Sequence, residues 1–246
     1  MNAKMKVLSI ALVGLCGYAG SAMAACPAGP DTANGGAWTA VSVVGGSASV
    51  QAGGLDGSEC RMDAAVTANL GSATAFVRDD SPSNEPRYRA QFMINADALT
   101  TQNTAQPVRV FAATTDTPAN GVPEVVRLTI YGNAAGTSRI LGVATACASA
   151  ATHICSTTVP LAASGVNTVE IDWSRAATGY LKVWVNNGTE ADADANLSVD
   201  NSAWGGVDSA ALGLYGASTA YRAAQLNHAV QFDRFDSRRQ TFIGSP

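Results

Sequence analysis

Two carboxylates on alternate residues are the part of this sequence with the clearest capacity for chemistry. The stretch "VEIDWSRAATGYLKVWVNN" (169–187) places Glu170 and Asp172 on either side of Ile171. Side chains two residues apart lie on the same face of a β-strand. Two carboxyl groups on one face can share the roles of nucleophile and general acid in cleaving a glycosidic bond. The stretch therefore raises the hypothesis of glycanase chemistry.

The residues around this pair depart from the pattern that such catalysis requires. In laminarinase-type glucanases the pattern is E-x-D-x-E or E-x-D-x-x-E, because nucleophile and acid/base face each other about 5–5.5 Å apart. Ser174 and Arg175 stand where the second glutamate would be. The other glutamates fall in predicted loops; they are Glu59, Glu85, Glu124 and Glu190. The sequence favours a structural role for the carboxylate pair.

Alternation predicts that the stretch folds as a hairpin of two strands joined by "SRAATG". The register that keeps the apolar side chains together places Asp172 opposite Lys182 and Glu170 opposite Trp184. An ion pair between Asp172 and Lys182 would contribute about 0.2–1 kcal/mol. We expect this polar side of the hairpin to be solvated.

Short alternating runs separated by Gly, Asn, Asp, Ser and Pro continue along the chain. Runs of this length with turn residues between them are typical of an antiparallel sandwich. The prediction is an all-β fold with two antiparallel sheets. The predicted strands are 88–94, 108–113, 125–132, 139–147, 167–173, 180–186, 211–216 and 228–235.

The N-terminus has the layout of a secretory signal peptide. Lys4 and Lys6 precede an apolar run at 7–15, and an A-x-A site follows at 22–24. The apolar run is too short to span a bilayer. We expect cleavage after residue 24 and export to the periplasm or the medium.

The chain after the predicted cleavage site contains four cysteines, which suggests two disulfides in an oxidising compartment. Four cysteines allow three connectivities, and nearest-neighbour pairing predicts Cys26–Cys60 and Cys147–Cys155. The spacing is not that of a zinc site. A lipoprotein is the alternative, because Met23 to Cys26 faintly resembles a lipobox, but lipidation would leave Cys60 without a partner.

Residues 25–246 are predicted to form a single β-sandwich domain, in which 25–60 make an irregular N-terminal layer. This part has 13 basic and 19 acidic residues, a net charge of −6, and Lys182 is its single lysine. The charge excludes the basic footprint of a nucleic-acid-binding protein. A basic amphipathic stretch that would bind a membrane surface is also missing from the sequence.

An acidic segment at 190–200 places oxygen-bearing side chains on alternate residues, as in the first part of an EF-hand. Leu197 occupies the sixth position, where the turn needs Gly, and Ala203 the twelfth, where a bidentate Glu belongs. The segment is therefore not an EF-hand. We predict no metal site and no cofactor, and any calcium would bind weakly to this loop.

Recognition of a sugar needs aromatic faces beside hydrogen-bonding groups. Trp184 and Tyr131 fall on the polar sides of their predicted strands, Trp204 lies in the loop "NSAWGGVD", and Tyr215 alternates with leucines. These four are the candidate ligand-binding residues. No catalytic residue is assigned.

The segment "NTVEIDWSRAATGYLKVWVNNG" resembles the paired strands of laminin-G-like, concanavalin A-like jelly rolls. "VQFDRFDSRR" is similar to the final strand of that superfamily, and the resemblance spans roughly 88–236. The ending "FDRFDSRRQTFIG" also resembles a group of exported bacterial proteins of unassigned function. The resemblance implies a two-sheet sandwich that often binds sugar or protein, sometimes with a calcium ion. It implies no catalysis, since enzymes and binding modules share this fold.

The sequence thus favours an exported, non-catalytic jelly-roll module that binds a glycan or a surface partner. One alternative is a polysaccharide hydrolase or lyase, which would need a carboxylate pair beside a cleft. The other is a structural or secretion-associated protein without a small ligand.

Overall fold

The computed structural model describes residues 26–27, 29–32, 38–100, 102–238 and 241–244. The predicted signal peptide (1–24) lies outside the described residues. Across the described ranges, no helix is long and apolar enough to cross a membrane.

The described residues form two antiparallel sheets of seven strands each, which confirms the predicted two-sheet sandwich. The first sheet has the order β1-β4-β13-β6-β7-β8-β9 and the second β12-β11-β10-β5-β14-β3-β2. The strands are β1 (Ala40–Val44), β2 (Gly46–Ala52), β3 (Cys60–Val66), β4 (Thr74–Asp79), β5 (Arg87–Asn95), β6 (Val108–Ala119), β7 (Val122–Gly132), β8 (Arg139–Ala146), β9 (Ile154–Pro160), β10 (Val166–Ser174), β11 (Gly179–Val185), β12 (Ala195–Val199), β13 (Ser209–Tyr215) and β14 (Val230–Arg238). A short helix, α1 (Thr219–Ala224), precedes β14.

The core lies between the two sheets and is built by alternate residues of the strands. Phe92 of β5 stacks on Phe111 of β6 with ring centroids 5.7 Å apart, which joins the sheets at their centre. Trp173 of β10 is also fully buried in this core. Because alternate residues point to opposite faces, burying one set of side chains turns the intervening polar residues outward.

The N-terminal layer is more regular than its Gly-, Ala- and Ser-rich composition indicated. β1 pairs with β4 at one edge of the first sheet, and β2 pairs with β3 at one edge of the second sheet. Small residues are needed here because the chain passes close to its neighbours: a Cβ on Gly46 would lie 2.4 Å from the carbonyl oxygen of Thr74. The prediction of an irregular layer at 25–60 is therefore corrected for residues 40–52.

Both predicted disulfides are present. Cys26–Cys60 ties the N-terminal residues to the start of β3, and Cys147–Cys155 closes the loop between β8 and β9. The second disulfide thus lies at the end of the hairpin formed by β8 and β9.

Candidate functional site

A group of polar side chains covers the outer side of three neighbouring strands, β5, β10 and β11. Residues of β10 alternate between the core and this outer side, and the strand registers arrange the outer residues in three rows. We call this group the polar face. Its rows are Gln91–Glu170–Trp184, Arg89–Asp172–Lys182 and Arg87–Ser174–Tyr180.

Arg89 lies at the centre of the polar face, and its side chain is only 2% exposed. Its Nη2 donates to Oδ2 of Asp172 at 2.8 Å and to a carboxylate oxygen of Glu190. Its Nη1 lies 3.5 Å from Oε1 of Glu170, which makes a third ion pair. Nε and Nη1 have no hydrogen-bond partner in the described part of the chain. A buried guanidinium is therefore neutralised by three carboxylates but incompletely hydrogen-bonded.

Asp172 binds two arginines rather than the predicted lysine. Arg87 donates to it through Nε at 3.0 Å and Nη2 at 2.8 Å, and the Tyr180 hydroxyl lies 3.2 Å from Oδ2. The predicted register with Lys182 is confirmed, but the amine of Lys182 instead lies 5.2 Å from the ring of Tyr180. The predicted ion pair is therefore corrected: Arg89 is directly opposite Asp172 on β5, and Arg87 binds both carboxylate oxygens with its planar fork.

Glu170 is also buried, which corrects the prediction that this side of the hairpin is solvated. It accepts hydrogen bonds from the main-chain N–H groups of Ile243 at 3.0 Å and Gly244 at 2.9 Å. Nε2 of Gln91 donates to Oε2 of Glu170 at 3.2 Å, the same oxygen that accepts from Gly244. Glu170 is thus an anchor for the C-terminal part of the chain.

Residues 241–244, which we call the C-terminal strap, lie across part of the polar face. The Phe242 ring packs edge-on against Trp184 with centroids 5.5 Å apart, and the Arg89 guanidinium carbon lies 5.6 Å from each ring. Gly244 has a φ of +78°, in the left-handed region that favours glycine. The strap therefore covers the row that contains Glu170 and Trp184, while Arg87, Tyr180 and Lys182 stay partly exposed.

The structure brings one of the four predicted ligand-binding aromatics to the polar face. Trp184 is there, buried beneath Phe242. Trp204 lies in the predicted loop but is fully buried, and it donates its indole N–H to the carbonyl of Val122 at 3.0 Å. Tyr131 and Tyr215 lie in the first sheet. Ligand contact by any of these residues stays a prediction.

Sequence reasoning missed Arg87, Arg89 and Gln91 because it considered only the neighbouring hairpin strand. The signal that could have identified them is the alternation in "RYRAQF", where long polar residues interleave with Tyr88, Ala90 and Phe92. Long polar residues on every second position of a central strand predict an outward-facing polar surface. Residues 241–244 show no comparable alternation of polar and apolar residues.

The acidic segment at 190–200 uses its oxygens within the fold. Glu190 binds Arg89, Asp194 accepts the N–H of Val185 at 2.7 Å, and Asp200 accepts two hydrogen bonds from Ser202. The hydrogen bonds from Ser202 lower the pKa of Asp200. In the described ranges, no group of three or more His, Cys, Asp or Glu side chains could hold a metal ion. Weak calcium binding by this loop stays a prediction.

The hydroxyl of Tyr180 is held in its protonated form. Burial, followed by the negative charge of Asp172, raises the pKa of Tyr180 above its ordinary value of 10. A phenol in this state can donate a hydrogen bond or a proton near neutral pH, but it is a poor base. The protonation state of Tyr180 therefore limits the reactions in which the polar face could take part.

We expect the folded state to lose stability as the pH rises above 10. Burial raises the pKa values of Tyr88, Tyr180, Tyr215 and Tyr221, so the unfolded chain releases these protons at a lower pH. Their contribution is complete below the unfolded pKa and is lost as the pH rises through the folded values. Denaturant titrations between about pH 9 and 12 measure this loss. Tyr221→Phe should make the decline shallower; an unchanged slope would contradict the assignment for that residue.

No family model matches the sequence, and no curated protein matches it. Solved structures define the class of fold as a two-sheet sandwich of the jelly-roll type. An endo-β-1,4-glucuronan lyase from the fungus Trichoderma reesei is similar at 13% identity with a TM-score of 0.58, covering 86% of this chain and 94% of the lyase. A cellulose-induced protein is similar at 16% identity and a TM-score of 0.57, covering 88% and 95%. An alginate lyase matches at 12% identity and a TM-score of 0.53, covering 76% and 86%. These likenesses establish the fold, and the more specific laminin-G-like resemblance stays a prediction.

Proposed function

We propose that this protein binds a polysaccharide through its polar face and does not cleave it. The observation that carries the proposal is the arrangement of hydrogen-bonding side chains in three rows beside aromatic rings. Sugar rings offer hydroxyl groups to polar side chains and apolar C–H faces to aromatic rings, so a binding site needs both.

The fold is consistent with this proposal. The names of the similar structures connect them with glucuronan, cellulose and alginate. A shared fold does not transfer a function by itself, so the argument depends on the side chains of the polar face. Arg87, Tyr180 and Lys182 form its partly exposed end, where a chain could first bind.

The state of the two carboxylates is the reason for proposing binding rather than hydrolysis. A retaining hydrolase needs one carboxylate free to attack and another poised to donate a proton. Asp172 is bound by two arginines and a tyrosine, and Glu170 accepts three hydrogen bonds. Neither carboxylate is free to act as nucleophile or proton donor.

A polysaccharide lyase is the second candidate, favoured by a specific juxtaposition. Tyr180 and Lys182 lie beside Arg87 and Arg89, which places proton-transfer groups next to cations that could neutralise a sugar carboxylate. The raised pKa of Tyr180 opposes this candidate, because proton abstraction by its phenolate would be rare near neutral pH.

The proposal includes export from the cytoplasm. It is supported by the signal-peptide pattern of the sequence and by two disulfides, which form and persist in oxidising compartments. A surface protein is the alternative partner. Nucleic acid and membrane lipid are not proposed, because the sequence is acidic and has no basic cluster.

A glycan array probed with the disulfide-bonded protein, with and without calcium, tests the proposal. We expect binding to at least one polysaccharide or its oligosaccharides. In titrations with that glycan, Tyr180→Ala combined with Lys182→Ala should weaken binding by about tenfold or more, as for residues that contact a ligand directly. Arg78→Met, which removes an exposed arginine from the first sheet, is the matched control and should bind normally.

Two outcomes would contradict the proposal. Binding that survives the polar-face substitutions and is lost in Tyr131→Ala would place the site on the first sheet. Release of ultraviolet-absorbing unsaturated sugars from a uronate polysaccharide, abolished by Tyr180→Phe, would instead establish the lyase.

A further inference from the structure

We propose that the C-terminal strap is an intramolecular cover, which a polysaccharide must displace to occupy the buried part of the polar face. This inference rests on the proposed function and adds regulation to the same site. It concerns the row Gln91–Glu170–Trp184 and the adjacent Arg89.

The strap binds the face in the way that a ligand would. Two successive N–H groups point at the Glu170 carboxylate, and Gln91 donates to the carbonyl oxygen of Gly244 at 2.6 Å. The Phe242 ring supplies the apolar contact against Trp184. These contacts involve hydrogen-bonding groups of a sheet surface rather than the hydrophobic core.

The fit between strap and face is incomplete. Arg89 is buried, yet its Nε and Nη1 have no hydrogen-bond partner in the described residues. A buried N–H group that lacks a partner is costly, because it has given up its bonds to water. Phe242 lies over the guanidinium and offers it a ring but no oxygen. The strap thus helps to bury Nε and Nη1 of Arg89 without providing hydrogen-bond acceptors for them.

The chemistry left under the strap favours a hydroxylated sugar as the displacing ligand. With the strap gone, Glu170 requires donors in place of two N–H groups, and Arg89 requires acceptors. A sugar hydroxyl is both donor and acceptor. A sulfate or phosphate group lacks the donors and would lie close to the carboxylates of Glu170 and Asp172, so an anion alone is a poor fit.

The cover has a quantitative consequence for binding. A ligand that needs the open face binds with an affinity reduced by the fraction of molecules in which the strap is released. Because the strap belongs to the same chain, it competes at a high effective concentration without needing strong contacts. Weakening the strap should therefore tighten ligand binding.

The test uses Phe242→Ala combined with Ile243→Pro, which removes the ring and one N–H donor while leaving every polar-face residue unchanged. Thr241→Ala, an exposed residue of the strap, is the matched control. Release of the strap is measured as increased acrylamide quenching of tryptophan fluorescence, an increase that Trp184→Phe should abolish. The ligand is a polysaccharide identified by the array.

We expect the double variant to show more quenching and roughly tenfold tighter binding, the gain for a face that is open about a tenth of the time. In the wild-type protein, saturation with the polysaccharide should speed hydrogen exchange at the amides of Ile243 and Gly244. If the double variant shows more quenching but binds with unchanged affinity, the cover is refuted and the proposed function stays intact. The same conclusion follows if quenching in the double variant equals that of the wild type. If neither protein binds any polysaccharide, the proposed function itself fails and the cover fails with it.

Discussion

Replacing Arg89 with methionine is expected to lower the free energy of unfolding by about 3–5 kcal/mol. The guanidinium lies among Glu170, Asp172 and Glu190, and the first two carboxylates are buried on the same face. Removing the shared cation leaves the buried Glu170 without its ion pair and the buried Asp172 with Arg87 alone, which costs far more than the loss of a surface ion pair. Methionine fills much of the volume, so the loss reports mainly on charge.

Denaturant unfolding of matched variants measures this effect. Arg78→Met breaks an exposed ion pair with Asp80 and should cost no more than about 1 kcal/mol. Arg89→Lys keeps the charge but loses the planar fork, so it should fall between the wild type and Arg89→Met. A loss in Arg89→Met as small as that in Arg78→Met would show that the buried carboxylates do not depend on this cation.

The hairpin of β10 and β11 shows what local pattern can predict. Alternation and a short loop gave the register of Asp172 with Lys182 and of Glu170 with Trp184, and the structure has both. The partner across β5 could not be predicted in the same way, because Arg89 and Asp172 are 83 residues apart. Which strand lies on the other side of β10 depends on the whole sandwich.

The exposure of individual side chains was harder to predict than their direction. Glu170 and Trp184 do point away from the core, as alternation indicated, yet both are buried because residues 241–244 lie over them. A short C-terminal sequence such as "TFIG" has no periodicity that would reveal a docking site. Its contacts become visible only when the whole fold places the sheet beside it.

The polar face is expected to add less to the free energy of unfolding than apolar side chains in the same positions would. Buried ion pairs often contribute less than well-packed apolar residues of the same volume, since the charges must be desolvated. Two guanidinium nitrogens of Arg89, Nε and Nη1, also lack hydrogen-bond partners in the described part of the chain. These energetic costs are compatible with the proposed function, in which the cluster serves to recognise a ligand.

Replacing Asp172 with asparagine is expected to cost about 3 kcal/mol or more, whereas Lys182→Met should stay within about 0.5 kcal/mol. The sequence alone paired these two residues in a cross-strand ion pair worth about 0.2–1 kcal/mol, which would make the two losses small and similar. In the structure, Asp172 accepts hydrogen bonds from Arg87 and Arg89. An amide can accept only on one side and carries no charge, so Arg87 loses the carboxylate that it binds and Arg89 loses one of its three.

Double-mutant cycles separate the two interpretations. Asp172 and Arg89 should couple by about 1 kcal/mol or more, since they share one buried ion pair, whereas Asp172 and Lys182 should be additive within about 0.3–0.5 kcal/mol. Tyrosine absorbance provides a second readout, because loss of the Asp172 charge should bring the pKa of Tyr180 back toward 10. A large coupling to Lys182 with none to Arg89 would restore the cross-strand ion pair that the sequence predicted and would remove Arg89 from the centre of the site.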